Sequence, residues 1–304
     1  MSGSVLYDAP GPKTRRRSAI ASVVSALVLV AAGAWIIATL AAPRVAANGA
    51  ETPGMFDGSR WDIALNPLLW ENFGRGVLAT LAMAAVAAVL AVLLGILLSF
   101  ARTARSMWVR VPTAALLEFV RGMPVLLMIF FIFLVFSTGA YWAGVLGLAV
   151  YNGAIIGEAL RAGIVSLPKG QGEAGYSIGL TPLQTRLSIE FPQAFRQMLP
   201  IIIAQLVVLL KDTSLAYVVG YNELARTIKN LQNALGNRYL FTLFIIGLLI
   251  YLIMNLTLSW LARVIAKRSG PKLGKVTPDD LPPVGAQGTQ AITMVRPNRG
   301  KPPS

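Results

Sequence analysis

The sequence predicts an all-α protein: a polytopic transmembrane helix bundle of about six spans, read as a five-span core with one extra helix at the N-terminus. Three observations carry this. Of the 304 residues 55% are hydrophobic and only 13% charged, and the mean hydropathy is +0.64, too apolar for a soluble domain and too long for a simple anchor. The apolar residues gather in runs long enough to cross a ~30 Å hydrocarbon core. The basic residues, which leave a net charge of +14, are spread over segments flanking those runs and form no single patch. That is the positive-inside distribution, so a membrane explains the charge and no nucleic-acid partner is expected.

Residues 1–18 are polar and place Arg15, Arg16 and Arg17 directly before the first apolar run, 19–42. Small residues around Ala46 and Ala47 would suit a cleaved signal peptide, but a run of roughly 24 residues exceeds the ~7–15 of a signal core, so a retained helix is expected. A linker of mixed charge, 43–75, follows, with Trp61 and Trp70 as interface anchors. The core, 76–266, opens with the charge-free run Gly76 to Phe100, and Arg102, Arg105 and Arg110 mark the turn after it. From Gly122 to Gly157 no charge occurs over roughly 36 residues, ~54 Å of helix and nearly twice the hydrocarbon thickness. The chain must fold back there, near Ser137-Thr138-Gly139, giving spans of about 114–136 and 141–163.

After a polar segment at 166–196, Gln197 to Tyr221 makes a fifth span interrupted by Lys211-Asp212, with Pro200 loosening its first turns. Tyr239 to Ala262 makes the sixth. With the N-terminus inside, the C-terminus and the segment 166–196 also fall inside, whether or not the first helix is kept. The segment 222–238 falls outside although Glu223, Arg226, Lys229 and Arg238 leave it mildly positive. Residues 267–304 are rich in Pro and Gly, lack an apolar period, and read as a disordered cytoplasmic tail.

Cys and His are both absent, which removes disulfides, Cys or His nucleophiles, and the usual zinc sites. No catalytic or metal-binding residue is expected. No G-x-x-x-x-G-K-[ST] loop occurs, so the chain has no P-loop for ATP. The informative residues are charges inside apolar spans: Arg121, Glu158, Arg161, Lys211 and Asp212. An ion facing lipid at the bilayer centre costs ~2.5–3.5 kcal/mol, so most of these must face protein or water. Glu158 and Arg161 are i,i+3 neighbours that can neutralise each other, or can line a substrate path. Lys211 and Asp212 diverge by ~100° around a helix and need separate partners, either in or beside a translocation path or in a purely structural network. The five together are net positive, which leans towards an acidic substrate. Gly153 and Gly157 form a G-x-x-x-G suited to close packing within the bundle.

The polar segment Glu173 to Pro192 spells helix, break and helix. Glu173 to Ile178 can form a short helix with its acid at the positive end, and Gly179 supplies a left-handed stop. Thr181, Pro182 and Gln184 then give an N-cap, a first-turn proline and a capping box, and Phe191-Pro192 is expected to end the second helix. A helical elbow on the inner side of a membrane protein is a candidate docking handle. A channel, or a scaffold that recruits a cytoplasmic partner, is the alternative to a transporter.

This elbow resembles the binding-protein-dependent ABC importer permeases, whose loop reads E-A-A, three residues, G, nine residues, I-x-L-P. Glu173, Ala174, Gly179, Ile189 and Pro192 hold those positions, while Gly175 replaces the second alanine and Phe191 the leucine. Phe119-Val120-Arg121-Gly122-Met123-Pro124, Glu158 to Gln171, and Leu209-Leu210-Lys211-Asp212-Thr213-Ser214-Leu215 look like segments of the polar amino acid subfamily, and the extended form resembles actinobacterial glutamate permeases. The resemblance implies a multi-pass protein of the bacterial plasma membrane with cytoplasmic termini. It implies a second permease subunit, a paralogue, and two ABC ATPase subunits that bind ATP and Mg while this chain binds no cofactor. It also implies an extracytoplasmic binding protein that delivers an amino acid, glutamate or aspartate. Glu173, Ala174, Gly179, Ile189 and Pro192 would couple to the ATPase, and Glu158, Arg161, Lys211 and Asp212 would serve the substrate pathway.

Overall fold

The structure, a computed structural model, describes residues 11–45 and 51–269. Its helices are α1 (Pro12–Ala41), α2 (Pro67–Arg102), α3 (Met107–Gly122), α4 (Val125–Phe136), α5 (Gly139–Val165), α6 (Lys169–Ser177), α7 (Pro182–Thr185), α8 (Phe191–Asp212), α9 (Leu224–Leu235) and α10 (Leu240–Ser269). The short strands β1 (Arg44–Val45) and β2 (Glu51–Thr52) pair antiparallel in the linker. Five helical stretches, α1, α2, α5, α8 with its lead-in and its exit turn, and α10, are long and apolar enough to cross a membrane.

The sixth expected span is broken. α3 and α4 pass the same test only together and are bent by 107°. Pro124 has no N–H and forces the preceding residue out of the helical region, and Met123 accordingly sits at φ −89°, ψ 133°. The fold-back that follows falls where it was expected, with Ser137 at φ 50° and Gly139 at φ 75°. α2 starts at Pro67 and not at Gly76, because the Asn66 side chain accepts from Leu68 N–H at 3.0 Å and Pro67 takes the first helical position. The linker therefore ends nearer 66 than 75. α1 likewise starts at Pro12 and α10 runs on to Ser269, so the first residues of the expected tail are helical. The remainder, 270–304, lies outside the described residues, as do residues 1–10.

The long helix α2 is apolar on all sides over its charge-free run from Gly76 to Phe100, so polarity cannot choose its inner face. Size does. In α2 the buried stripe opens with Leu69 and Phe73 and continues through Gly76, Thr80, Met83, Ala84, Ala87, Ala91, Gly95 and Ser99, small residues apart from Met83 once past Phe73, while Leu78, Val89, Leu93 and Leu97 face outward. Small residues let backbones approach where lipid offers no hydrophobic drive for association. A Cβ on Gly95 would lie 2.7 Å from Ile156 Cγ2, and one on Gly153 would lie 3.1 Å from Leu94 Cβ. The G-x-x-x-G at Gly153 and Gly157 thus packs α5 against α2 within the bundle. Between α5 and α8 the buried Asn152 accepts from Gln205 Nε2 at 2.8 Å and donates to Leu148 O at 2.8 Å, which fixes the register of the pair.

The two ends of the bundle differ. At one, Arg60 donates to the Arg238 carbonyl and Arg238 to the Ser59 carbonyl, each at 2.7 Å, tying the linker to the start of α10. At the other, the start of α8, which follows α6 and α7, packs on the end of α2, with the rings of Phe100 and Phe191 5.0 Å apart.

Candidate functional site

The elbow holds its shape through local caps. Gly179 takes φ 82° and the chain closes α6 with paired bonds, Leu180 N–H to Gly175 O at 3.1 Å and Gly179 N–H to Tyr176 O at 3.0 Å. Thr181 and Gln184 form the reciprocal capping box, with Thr181 N–H donating to Gln184 Oε1 at 2.8 Å. Two expectations change. α6 begins at Lys169, directly after Pro168, so Glu173 lies in its second turn and not at its positive end. Phe191-Pro192 does not end the second helix either. Residues Arg186–Glu190 form a π turn in which Phe191 N–H bonds to Arg186 O, and this wider turn carries the chain past a proline that lacks an N–H into α8. Gly175 is buried against Thr185, while Glu173, Ala174, Gly179 and Pro192 are exposed and Ile189 is half-buried. Tyr176, Ile178, Leu183 and Leu187 add an exposed apolar surface to this polar segment.

The four expected pathway residues occupy two places. Glu158 is bound by Arg161 through Nε at 2.8 Å and Nη2 at 2.7 Å, and Arg102 Nε lies 3.8 Å from its second oxygen. That cluster joins α2 to α5 near the elbow. Gly163 packs on Ala194 and Asn152 meets Gln205, so Glu158 is level with about residue 199 of α8. Lys211 lies roughly 12 residues, ~18 Å, further along. Arg121 pairs with Glu118 at 3.5 Å on the surface.

Lys211 lines a groove of about 650 Å³ formed by the end of α8, by α9 and by α10. Most of its wall is apolar, from Ala225, Ile228, Phe244, Leu248 and Leu252; Ser214, Tyr217, Lys229, Gln232, Tyr251 and Asn255 add polar groups, and no carboxylate lines it. Neither lysine forms an ion pair among the described residues. Lys229 Nζ is 3.1 Å from Gln232 Oε1, and Arg226 stacks 5.7 Å over the Tyr217 ring. Asp212 is half-buried and does not line the groove. The groove residues on α9 lie in the segment 222–238, for which a side of the membrane but no helix was expected. The helical signal was present in Leu224, Ile228, Leu231 and Leu235, which recur on one face between Glu223 and Gly236. Lys229, counted as an exception to the charge rule, is a groove residue.

Long apolar helices with a capped elbow between two of them are the architecture of a multi-pass membrane protein. The chain belongs to the family of binding-protein-dependent transport system inner membrane components, whose sequence model matches residues 91–270. Within that family it is an amino-acid ABC importer permease subunit. It is 37% identical over 225 residues to the glutamate transport system permease protein GluD of Corynebacterium glutamicum, with 71% of this chain and 81% of the relative covered. It is 36% identical over 207 residues to the probable glutamine ABC transporter permease protein GlnP of Bacillus subtilis, covering 66% and 93%. The crystal structure of an amino acid ABC transporter with histidines superposes at a TM-score of 0.59 and 28% identity, covering 65% of this chain and 94% of that one.

Proposed function

We propose that this subunit carries an acidic amino acid, glutamate or aspartate, into the cell. The observation that supports this most is the groove that holds Lys211 and Lys229 and no carboxylate. An acidic amino acid brings two carboxylates and one ammonium. Two lysines answer the carboxylates, and the Tyr251 ring and the oxygens of Ser214 and Asn255 suit the ammonium. The 37% identical relative is a glutamate permease by name, which agrees with the charge.

In this reading the elbow and both termini are cytoplasmic, and the linker and α9 face outward. The elbow docks on an ABC ATPase, two of which supply ATP and Mg to the assembly. Glu173, Ala174, Gly179, Ile189 and Pro192 shape the contact, and the apolar surface from Tyr176 to Leu187 fills it. A capped, internally packed helix pair transmits a push as a body, as a flexible loop cannot. An extracytoplasmic binding protein delivers the amino acid, and a second permease, a paralogue, completes the pathway. Uptake of radiolabelled glutamate into proteoliposomes holding the whole importer tests this. Uptake should need both ATP and the binding protein and be competed by aspartate more than by glutamine or arginine. Accumulation without ATP, or equal competition by arginine, would refute it.

A further inference from the structure

Glu223 is fully buried and forms no ion pair among the described residues. Three donors satisfy its carboxylate. Arg226 N–H donates to Oε1 at 2.8 Å, and Ala225 N–H and the Tyr251 hydroxyl donate to Oε2 at 2.8 and 2.6 Å. The two amides open α9, whereas the hydroxyl belongs to α10. Beside them Thr80 of α2 accepts from Leu224 N–H at 3.1 Å and donates to Gly76 O at 2.9 Å. Three helices are thus joined at one point.

The rest of α9 is seated in two notches. A Cβ on Gly76 would lie 2.7 Å from Thr227 Oγ1, and one on Gly247 would lie 2.2 Å from Ile228 Cδ1. Gly220 at φ 90° and Gly236 at φ 89° make the turns that flank the helix, a conformation that favours glycine. Both partners of Glu223 reach the groove: Tyr251 lines it directly, and α9 contributes Lys229.

We propose that Glu223 is a positioning residue for amino-acid recognition, holding the Tyr251 hydroxyl and the start of α9 so that Tyr251 and Lys229 stand at fixed places in one groove. This rests on the groove being the substrate site. Both oxygens of Glu223 act as acceptors, so an amide in its place must turn its NH₂ towards one of the donors and lose that bond. A helix cap with no further role would lower thermal stability and leave ligand affinity alone.

The test is equilibrium binding of tritiated L-glutamate to the purified permease–ATPase complex without binding protein, with thermal unfolding of each variant alongside. Lys229→Met should weaken binding about 10-fold, and Glu223→Gln and Tyr251→Phe about 5-fold each. The double variant should match the weaker single variant instead of multiplying to about 25-fold, since both changes break one link. Tyr251→Phe removes one hydroxyl and keeps the ring, so it reports even if Glu223→Gln fails to assemble. Wild-type affinity in Glu223→Gln or in Tyr251→Phe, or multiplying effects, would overturn the positioning role while Lys229→Met leaves the groove intact as a reading. Unchanged binding in both Lys211→Met and Lys229→Met would instead overturn the groove, and the proposal with it.

Discussion

Gly175 and Thr185 meet so closely across the elbow that a Cβ on Gly175 would come within 2.6 Å of Thr185 Cγ2 and 2.8 Å of its Oγ1. The glycine that departs from the family's second alanine is therefore matched to a threonine on the facing helix. Gly175→Ala should destabilise the elbow by about 1–3 kcal/mol through overpacking, and Thr185→Ala should recover part of that loss. Thermal unfolding of the single and double variants checks the coupling, and additive losses would show that the contact can relax.

Gly179 at φ 82° stops α6 in the left-handed region, where a β-branched residue is strained by about 1–2 kcal/mol. Gly179→Val should reorient the elbow, lower transport per ATP hydrolysed and leave membrane insertion unchanged. Ile178→Asp, at a residue 75% exposed, should weaken ATPase association without affecting the fold. Normal complex yield in both variants would remove the elbow from the interface.

Lys211→Met should cut glutamate uptake about 10-fold, with Lys211→Arg recovering most of it because a cation returns. Asp212→Asn should have the smaller effect on affinity, since Asp212 does not line the groove. The reverse ranking would place the pathway on the other side of α8.

Glu158→Ala removes the partner of Arg161 and leaves the buried Nε of Arg102 without its nearby charge. The expected loss is about 1–3 kcal/mol of stability with glutamate affinity unchanged, because the cluster lies near the elbow and away from the groove. A changed affinity at normal stability would return Glu158 and Arg161 to the substrate path.

Burial pushes the Glu223 carboxyl above the ordinary glutamate range, against the pull of Tyr251 and the two α9 amides. The folded protein then holds this proton more tightly than the unfolded chain does. Its contribution to stability is complete below ~4.3, the ordinary glutamate value, and is lost as pH rises through the folded value. The melting temperature of wild type relative to Glu223→Gln should therefore fall as pH is raised from about 4 to 7. A difference that does not change with pH would mean the carboxyl titrates normally.

Sequence alone determined what rests on neighbours along the chain. Run lengths marked most of the spans, Ser137 to Gly139 marked a fold-back, and Thr181, Gln184 and Gly179 marked the elbow, because torsions and caps act over a few residues. The break at Pro124 is equally local, but run length alone does not reveal it, because the apolar residues continue on both sides of the proline. Only the tertiary structure decided which residues meet across the bundle. Helices apolar on every face carry no polarity signal for orientation, so small residues such as Ala91 and Gly95 choose the inner side through contacts with α5. The same long-range packing separates Glu158 from Lys211 and brings Lys211, Lys229 and Tyr251 into one groove. It also sets the carboxylate of Glu223 against a tyrosine 28 residues away, a pairing that no local rule of the backbone specifies.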